Sequence, residues 1–192
     1  WRVPLALVGL IVFQGLLGMW TVTLLLKPLV VVAHLLGGFA TLALLFSLGR
    51  WRSARVRAPT PALRTLGIAA AVALVLQIAL GGWTSANYAA LACPDFPTCQ
   101  RSFWPDMDFK DAFVLWRGLG IDYEGGVLDH PARVAIHFVH RIGALVTAAV
   151  LGVLAWRAIR TGRSSAVRAA GAALAVLLVA QWTVGPLMVL KA

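Results

Sequence analysis

Residues 66–100 read LGIAAAVALVLQIALGGWTSANYAALACPDFPTCQ. From Leu66 to about Ala86 the run carries no charge, and an aspartate and two cysteines follow within a short distance. An apolar run near the ~20 residues needed to cross a bilayer, followed at once by a polar loop, predicts a transmembrane helix ending at a membrane surface. The polar segment that begins there closes on HPARVAIHFVHRIGALV at residues 130–146. It holds every acidic residue of the chain: Asp95, Asp106, Asp108, Asp111, Asp122, Glu124 and Asp129. It also holds both cysteines, Cys93 and Cys99, and it ends in His130, His137 and His140. The chemistry is therefore expected near this loop.

Outward from it, the same pattern repeats. Apolar runs cover about Val3–Leu26, Leu29–Leu48, Ala132–Trp156 and Ala169–Leu190. Lys27-Pro28 interrupts the first two; Pro breaks the helix and Lys is expected among lipid head groups. Mean hydropathy is +0.85. Only 12% of residues are charged, against about 25% in a soluble domain. The class is an all-α integral membrane protein with five transmembrane helices. The 17 basic residues outnumber the 7 acidic ones. They gather beside apolar spans, in 49–65 (Arg50, Arg52, Arg55, Arg57, Arg64) and at Arg157, Arg160, Arg163 and Arg168. That is the positive-inside signal, and it excludes nucleic acid as the partner. The Arg-rich segments then face the cytoplasm, and the Cys93–Cys99 loop lies outside with the Lys27 turn.

Two finer patterns stand out. Phe109, Ala112, Phe113 and Trp116 have helical spacing, with charged residues on the other face. This predicts a short amphipathic helix on the membrane surface. Gln14–Gly18, Gln77–Gly81 and Gln181–Gly185 all read QxxxG toward the outer end of a span. Small residues let helices approach closely, and Gln can donate across such an interface.

Six side chains carry the candidate chemistry. His34 lies seven residues past Lys27, roughly 10 Å down its helix at 1.5 Å per residue. His140 lies at a similar depth past Ala132. Ionisable residues at such depth face a bundle interior or a site. Each is read either as a hydrogen-bonded interhelical histidine or as an axial haem ligand, with Ala33, Gly37, Gly38, Gly143 and Ala144 leaving room for a flat macrocycle. His137, one turn outward from His140, is a candidate second ligand, proton carrier or polar pore residue. Arg141 needs an anion at this depth; a haem propionate and the acids of the outer loop are the two options. Cys93 and Cys99 outside the cytoplasm favour a disulfide, since a metal site would want further Cys or His nearby.

The runs NYAALACPDFPTCQ (87–100), HFVHRIGAL (137–145) and WTVTLLLKPLVVVAHLLGG (20–38) resemble haem A synthases of the proteobacterial and mitochondrial type. The resemblance covers nearly the whole chain. It implies an eight-helix protein built from two pseudo-symmetric four-helix bundles, each offering a histidine pair to a haem. Haem b would be the cofactor of one half and haem O the substrate of the other. The reaction would oxidise a methyl group of haem O to the formyl group of haem A for cytochrome oxidase assembly. By motif, His34 matches the second ligand of the first half, and His140, with Arg141, the first ligand of the second. Cys93 and Cys99 match the second half's outer-loop disulfide.

Residues 1–48 would then end the first half, 49–65 would be a cytoplasmic linker, and 66–192 would begin the second half with its outer loop at 87–131. The first two spans and the last would lie outside this sequence. The family's Glu-x-x-His-Arg motif, with the glutamate assigned to catalysis, is not in this chain. No residue here is a certain catalytic group, and His137 stands as a candidate proton carrier. The implied setting is the bacterial inner membrane, with the cysteine loop periplasmic. Implied partners are haem O, the bilayer, the haem O synthase (protohaem farnesyltransferase), an electron carrier and a further copy of the chain. The competing class is a non-enzymatic b-type cytochrome subunit passing electrons to or from quinone; a transporter fits less well, for want of a broken-helix substrate site.

Overall fold

Proline and short polar residues set most of the helix boundaries. The computed structural model describes residues 2–51 and 60–191. Arg52, Arg55, Arg57 and Pro59 of the expected inner loop lie outside the described residues. The order is α1 (Arg2–Thr23), α2 (Pro28–Trp51), α3 (Pro61–Ala86), α4 (Phe109–Ala112), α5 (His130–Thr161) and α6 (Ser165–Leu190). Pro28 and Pro61 open α2 and α3, where a missing N–H costs nothing. Ser164 caps α6 by accepting from the Val167 N–H at 3.3 Å.

Among the described residues, five helices are long and apolar enough to cross a membrane. Their large apolar side chains are widely exposed: Leu5 at 69%, Val22 at 73% and Val176 at 68%. In water each such residue would forgo about 1.5–3 kcal/mol relative to burial. Lipid is the solvent that makes this surface stable, and the helices satisfy their own backbone bonds within it. The protein is a multi-pass membrane protein. The helices correspond to the five apolar runs and extend past them at the Arg-rich ends.

The chain forms two compact units. The first contains α1 and α2 with Ile78–Ala92 and Asp106–His137. Its core gathers Val32, Trp83, Ala89, Ala112, Leu128 and Ile136. Trp83 donates its indole N–H to the Ala112 carbonyl at 3.0 Å, fixing α4 over the end of α3. The α1–α2 turn is unusual: Leu25 and Leu26 both have left-handed φ, 52° and 58°. The Leu26 N–H reaches back to Thr21 O at 2.8 Å, ending α1 with a wound turn that normally favours glycine. That turn is held from outside by Tyr123, whose N–H donates to Leu25 O at 3.1 Å.

Lys27 departs from expectation. It is buried, at 2% exposure. Its Nζ donates to Gly118 O and sits 3.5 Å from the centroid of the Trp116 ring. A carbonyl and an aromatic face replace the lipid head groups as its environment. The amphipathic helix is likewise only one turn, Phe109–Ala112, capped by Asp108 through the Asp111 N–H at 3.0 Å. Beyond it the chain is drawn elsewhere. Arg117 binds Asp111 at 2.7 Å, Trp116 goes to Lys27, and Gly118 and Gly120 take positive φ.

The second unit contains the stretch of α3 up to Gln77, Cys93–Pro105 and Phe138 onward through α6. Gly171 of α6 lies flat on α5: an added Cβ would stand 2.8 Å from Ala158 Cβ and 2.9 Å from Ala155 O. Thr147 of α5 donates to Ala73 O of α3 at 3.3 Å.

Candidate functional site

In the first unit, α1 presents Gln14 and Gly18 one turn apart, toward His34 of α2. Gln14 Nε2 donates to the His34 carbonyl at 2.8 Å. The imidazole lies against Gly18, where a Cβ would come within 3.3 Å of Cε1. Gly37 makes room for Gln14 itself, since a Cβ there would run into its carboxamide. Gly37, expected to leave space for a macrocycle, instead seats the glutamine, and Gly18 of the QxxxG pattern seats the histidine. Two polar atoms remain buried without a partner, His34 Nδ1 and Gln14 Oε1.

In the second unit the pairing recurs. Gln77 Nε2 of α3 lies 3.0 Å from His140 Nδ1 and donates to the His140 carbonyl at 3.1 Å. Gln77 Oε1 is buried and unpartnered. Sequence reading located the glutamines and their helix-facing role, but nothing in the QxxxG spacing names the histidines as their targets.

Arg141 follows His140 and faces the cysteine loop. Cys93 and Cys99 are joined by a disulfide with a Cα–Cα distance of 4.6 Å, and both are buried. Nη1 of Arg141 donates to Asp95 O and Thr98 O at 2.8 Å each, and Nη2 to Cys93 O at 2.7 Å. Phe96 lies 5.7 Å from the guanidinium carbon. The loop thus closes as a ring of carbonyls around one cation. It is braced by Asp95, which accepts from the Thr98 hydroxyl and from the Arg101 N–H at 3.0 Å. The Thr98 bond holds the Asp95 carboxyl below its ordinary range; desolvation works against this and the Arg101 N–H adds to it.

His137 is buried on α5, at 4% exposure. No group of three or more His, Cys, Asp or Glu side chains able to hold a bare metal ion occurs among the described residues. The donor set instead suits iron already held by a macrocycle. Each unit offers one imidazole at membrane depth, braced by an amide, with the unpartnered polar atoms beside it.

The family model described as cytochrome oxidase assembly protein, COX15-CtaA, matches residues 1–192. The chain belongs to the COX15-CtaA family. A haem A synthase of Shewanella oneidensis is 48% identical to it over 160 residues, covering 81% of this chain and 48% of the relative. A haem A synthase of Sphingopyxis alaskensis is 31% identical over 198 residues, covering 96% of this chain and 50% of the relative. The chain therefore spans about half the length of these COX15-CtaA relatives. No solved structure matches it.

Proposed function

We propose that this chain is part of a haem A synthase, which oxidises a methyl group of haem O to the formyl group of haem A for cytochrome oxidase assembly. The whole-chain family match and the two similar haem A synthases support the reaction class. The observation that carries the site is the repeated glutamine–histidine pair, one in each compact unit. His34 and His140 would each hold the iron of a separate haem, haem b in one half and haem O in the other. Bound haem b supplies a redox-active iron. The protein's own part is to hold the imidazoles at fixed depth and to keep lipid and water off the reacting carbon.

Arg141 keeps a role toward a propionate in this reading. Three loop carbonyls accept from its guanidinium and the Asp95 carboxylate acts on it electrostatically; a propionate would add a negative charge on the haem side. Buried His137 serves as a proton carrier one turn outward from His140. The positive-inside distribution of arginines supports a periplasmic disulfide loop in a bacterial inner membrane. The haem O synthase and an electron carrier are the partners this reaction calls for, and self-association is compatible with the lipid-facing apolar surface.

The test is pigment analysis of the full-length protein expressed with a supply of haem O. Haem A is the expected product, and haem b alone would return the protein to the electron-transfer cytochromes. His34→Ala and His140→Ala are each expected to lose haem. Unchanged haem content in both removes the ligand assignment.

A further inference from the structure

The glutamines ask for their own explanation. A buried amide on a lipid-facing helix is costly unless it is bonded, and both Gln14 and Gln77 donate to a histidine of the next spanning helix. The two pairs differ at one atom. Gln14 is bonded to the His34 backbone, with the ring Nδ1 left buried and unpartnered. Gln77 reaches both the His140 backbone and the ring Nδ1.

We infer that Gln77 is a positioning residue for His140, fixing which ring nitrogen carries the proton, whereas Gln14 fixes only the placement of the His34 backbone. The inference rests on the reading of His140 as an axial ligand, but its first test does not. With the Gln77 N–H on Nδ1, that nitrogen is an acceptor and the imidazole proton sits on Nε2. Ligation through Nε2 needs the opposite tautomer, with the proton on Nδ1. The carboxamide can serve both. A half-turn about its last bond exchanges Nε2 for Oε1, the atom now buried and unpartnered. The half-turn gives up the bond from Gln77 Nε2 to the His140 carbonyl, and the stranded oxygen accepts the Nδ1 proton in its place, so loading and tautomer change together. A metal-bound histidine held this way through its other nitrogen is more basic and better oriented. Gln14 Oε1 stands against Gly37, one turn further along α2, so the first unit has no equivalent bond to the ring.

The experiment uses full-length protein with ¹⁵N-labelled histidine, first free of haem. The His140 signals are expected to report the Nε2–H tautomer, and Gln77→Met to give a mixture of the two. Gln14→Met should leave the His34 tautomer unchanged. A His140 tautomer untouched by Gln77→Met overturns the inference. The second readout is the haem-loaded protein. Gln77→Met is expected to weaken haem retention about 10–100-fold. Gln77→Glu should fold and retain haem but lower its reduction potential, because a carboxylate draws the Nδ1 proton and makes the ligand more anionic. If Gln77→Glu leaves the potential unchanged while the tautomer responds in the haem-free protein, His140 is positioned by Gln77 but is not the ligand. Positioning then stands and the ligand reading falls. Loss of thermal stability alone, with tautomer and potential as in the parent, reduces Gln77 to a packing residue and overturns the inference.

Discussion

Nη2 of Arg141 donates to the carbonyl oxygen of Cys93 at 2.7 Å, so the helix that carries His140 also holds the first turn of the disulfide loop. With the bonds to Asp95 and Thr98, one side chain satisfies three loop carbonyls. A hydrogen bond to a charged group contributes about 1.5–3 kcal/mol. Arg141→Met is therefore expected to loosen residues 93–99 by about 2–3 kcal/mol, since the ring keeps part of its shape. Hydrogen exchange of the loop amides should quicken roughly 30- to 150-fold. Arg141→Lys, with its charge but no planar fork, should fall between.

The disulfide should resist labelling. Cys93 and Cys99 are expected to take up no maleimide in membranes prepared without reductant, and two labels after reduction. The ring they close is small, and its contribution to loop stability is about 2 kcal/mol. Labelling before reduction would show the pair unbridged in the cell.

Acid should act on the same loop through Asp95. Its carboxyl is held below its ordinary value of 3.8, chiefly by the Thr98 hydroxyl. A depressed folded-state value means the stabilisation is fully present above the unfolded-state value. It is lost as pH falls through the lower, folded-state one. The loop should thus be indifferent to pH near neutrality and loosen only in strong acid. Thr98→Val should move that transition upward, and Asp95→Asn should abolish it. Hydrogen exchange of the Arg101 amide, which donates to Asp95, reads both.

Lys27 shows where a sequence stops being legible. Its place in a break between two apolar runs was plain, and the turn is there. Its environment depends on Trp116 and Gly118, about ninety residues away, and no periodicity encodes that meeting. The aromatic spacing of 109–116 misleads for the same reason. Phe113 packs on the core and Trp116 on Lys27, so the repeat reflects two separate contacts rather than one helix face. The spans themselves were legible because hydropathy alone decides them in a bilayer; Pro28 marked one start, whereas Pro61, assigned to the inner loop, in fact opens α3. At the site, the depth of His34 and His140 could be counted along the chain, whereas Gln14 and Gln77 needed the packing to find their partners. Lys27→Met keeps the apolar stem and removes the ammonium. It is expected to cost about 1–3 kcal/mol and to make residues 116–120 sensitive to protease. A digestion pattern identical to the parent's would mean that the ammonium does not hold this segment.

Gly37 and Gly67 make a matched pair of tests for the first glutamine. Both are helical, and Gly→Ala in a helix interior gains about 1 kcal/mol from propensity alone. At Gly67 of α3 an added Cβ meets nothing within 4 Å, so Gly67→Ala should raise the melting temperature or leave it unchanged. At Gly37 of α2 the same methyl group would stand 2.8 Å from Gln14 Cδ. Gln14 is flexible, so it should swing aside rather than push the helices apart. Its bond to the His34 carbonyl is then lost, at a cost of about 1 kcal/mol. Gain and loss nearly cancel, and Gly37→Ala should melt within about 1 kcal/mol of the parent. The two variants separate on haem. If His34 holds a haem as proposed, Gly67→Ala should retain the full complement, whereas Gly37→Ala should retain less, because the turn that carries His34 has lost its brace. A Gly37→Leu variant, which fills the Gln14 site outright, should deepen that loss. Equal haem content in the Gly37 and Gly67 variants would show that the Gln14 bond does not support His34.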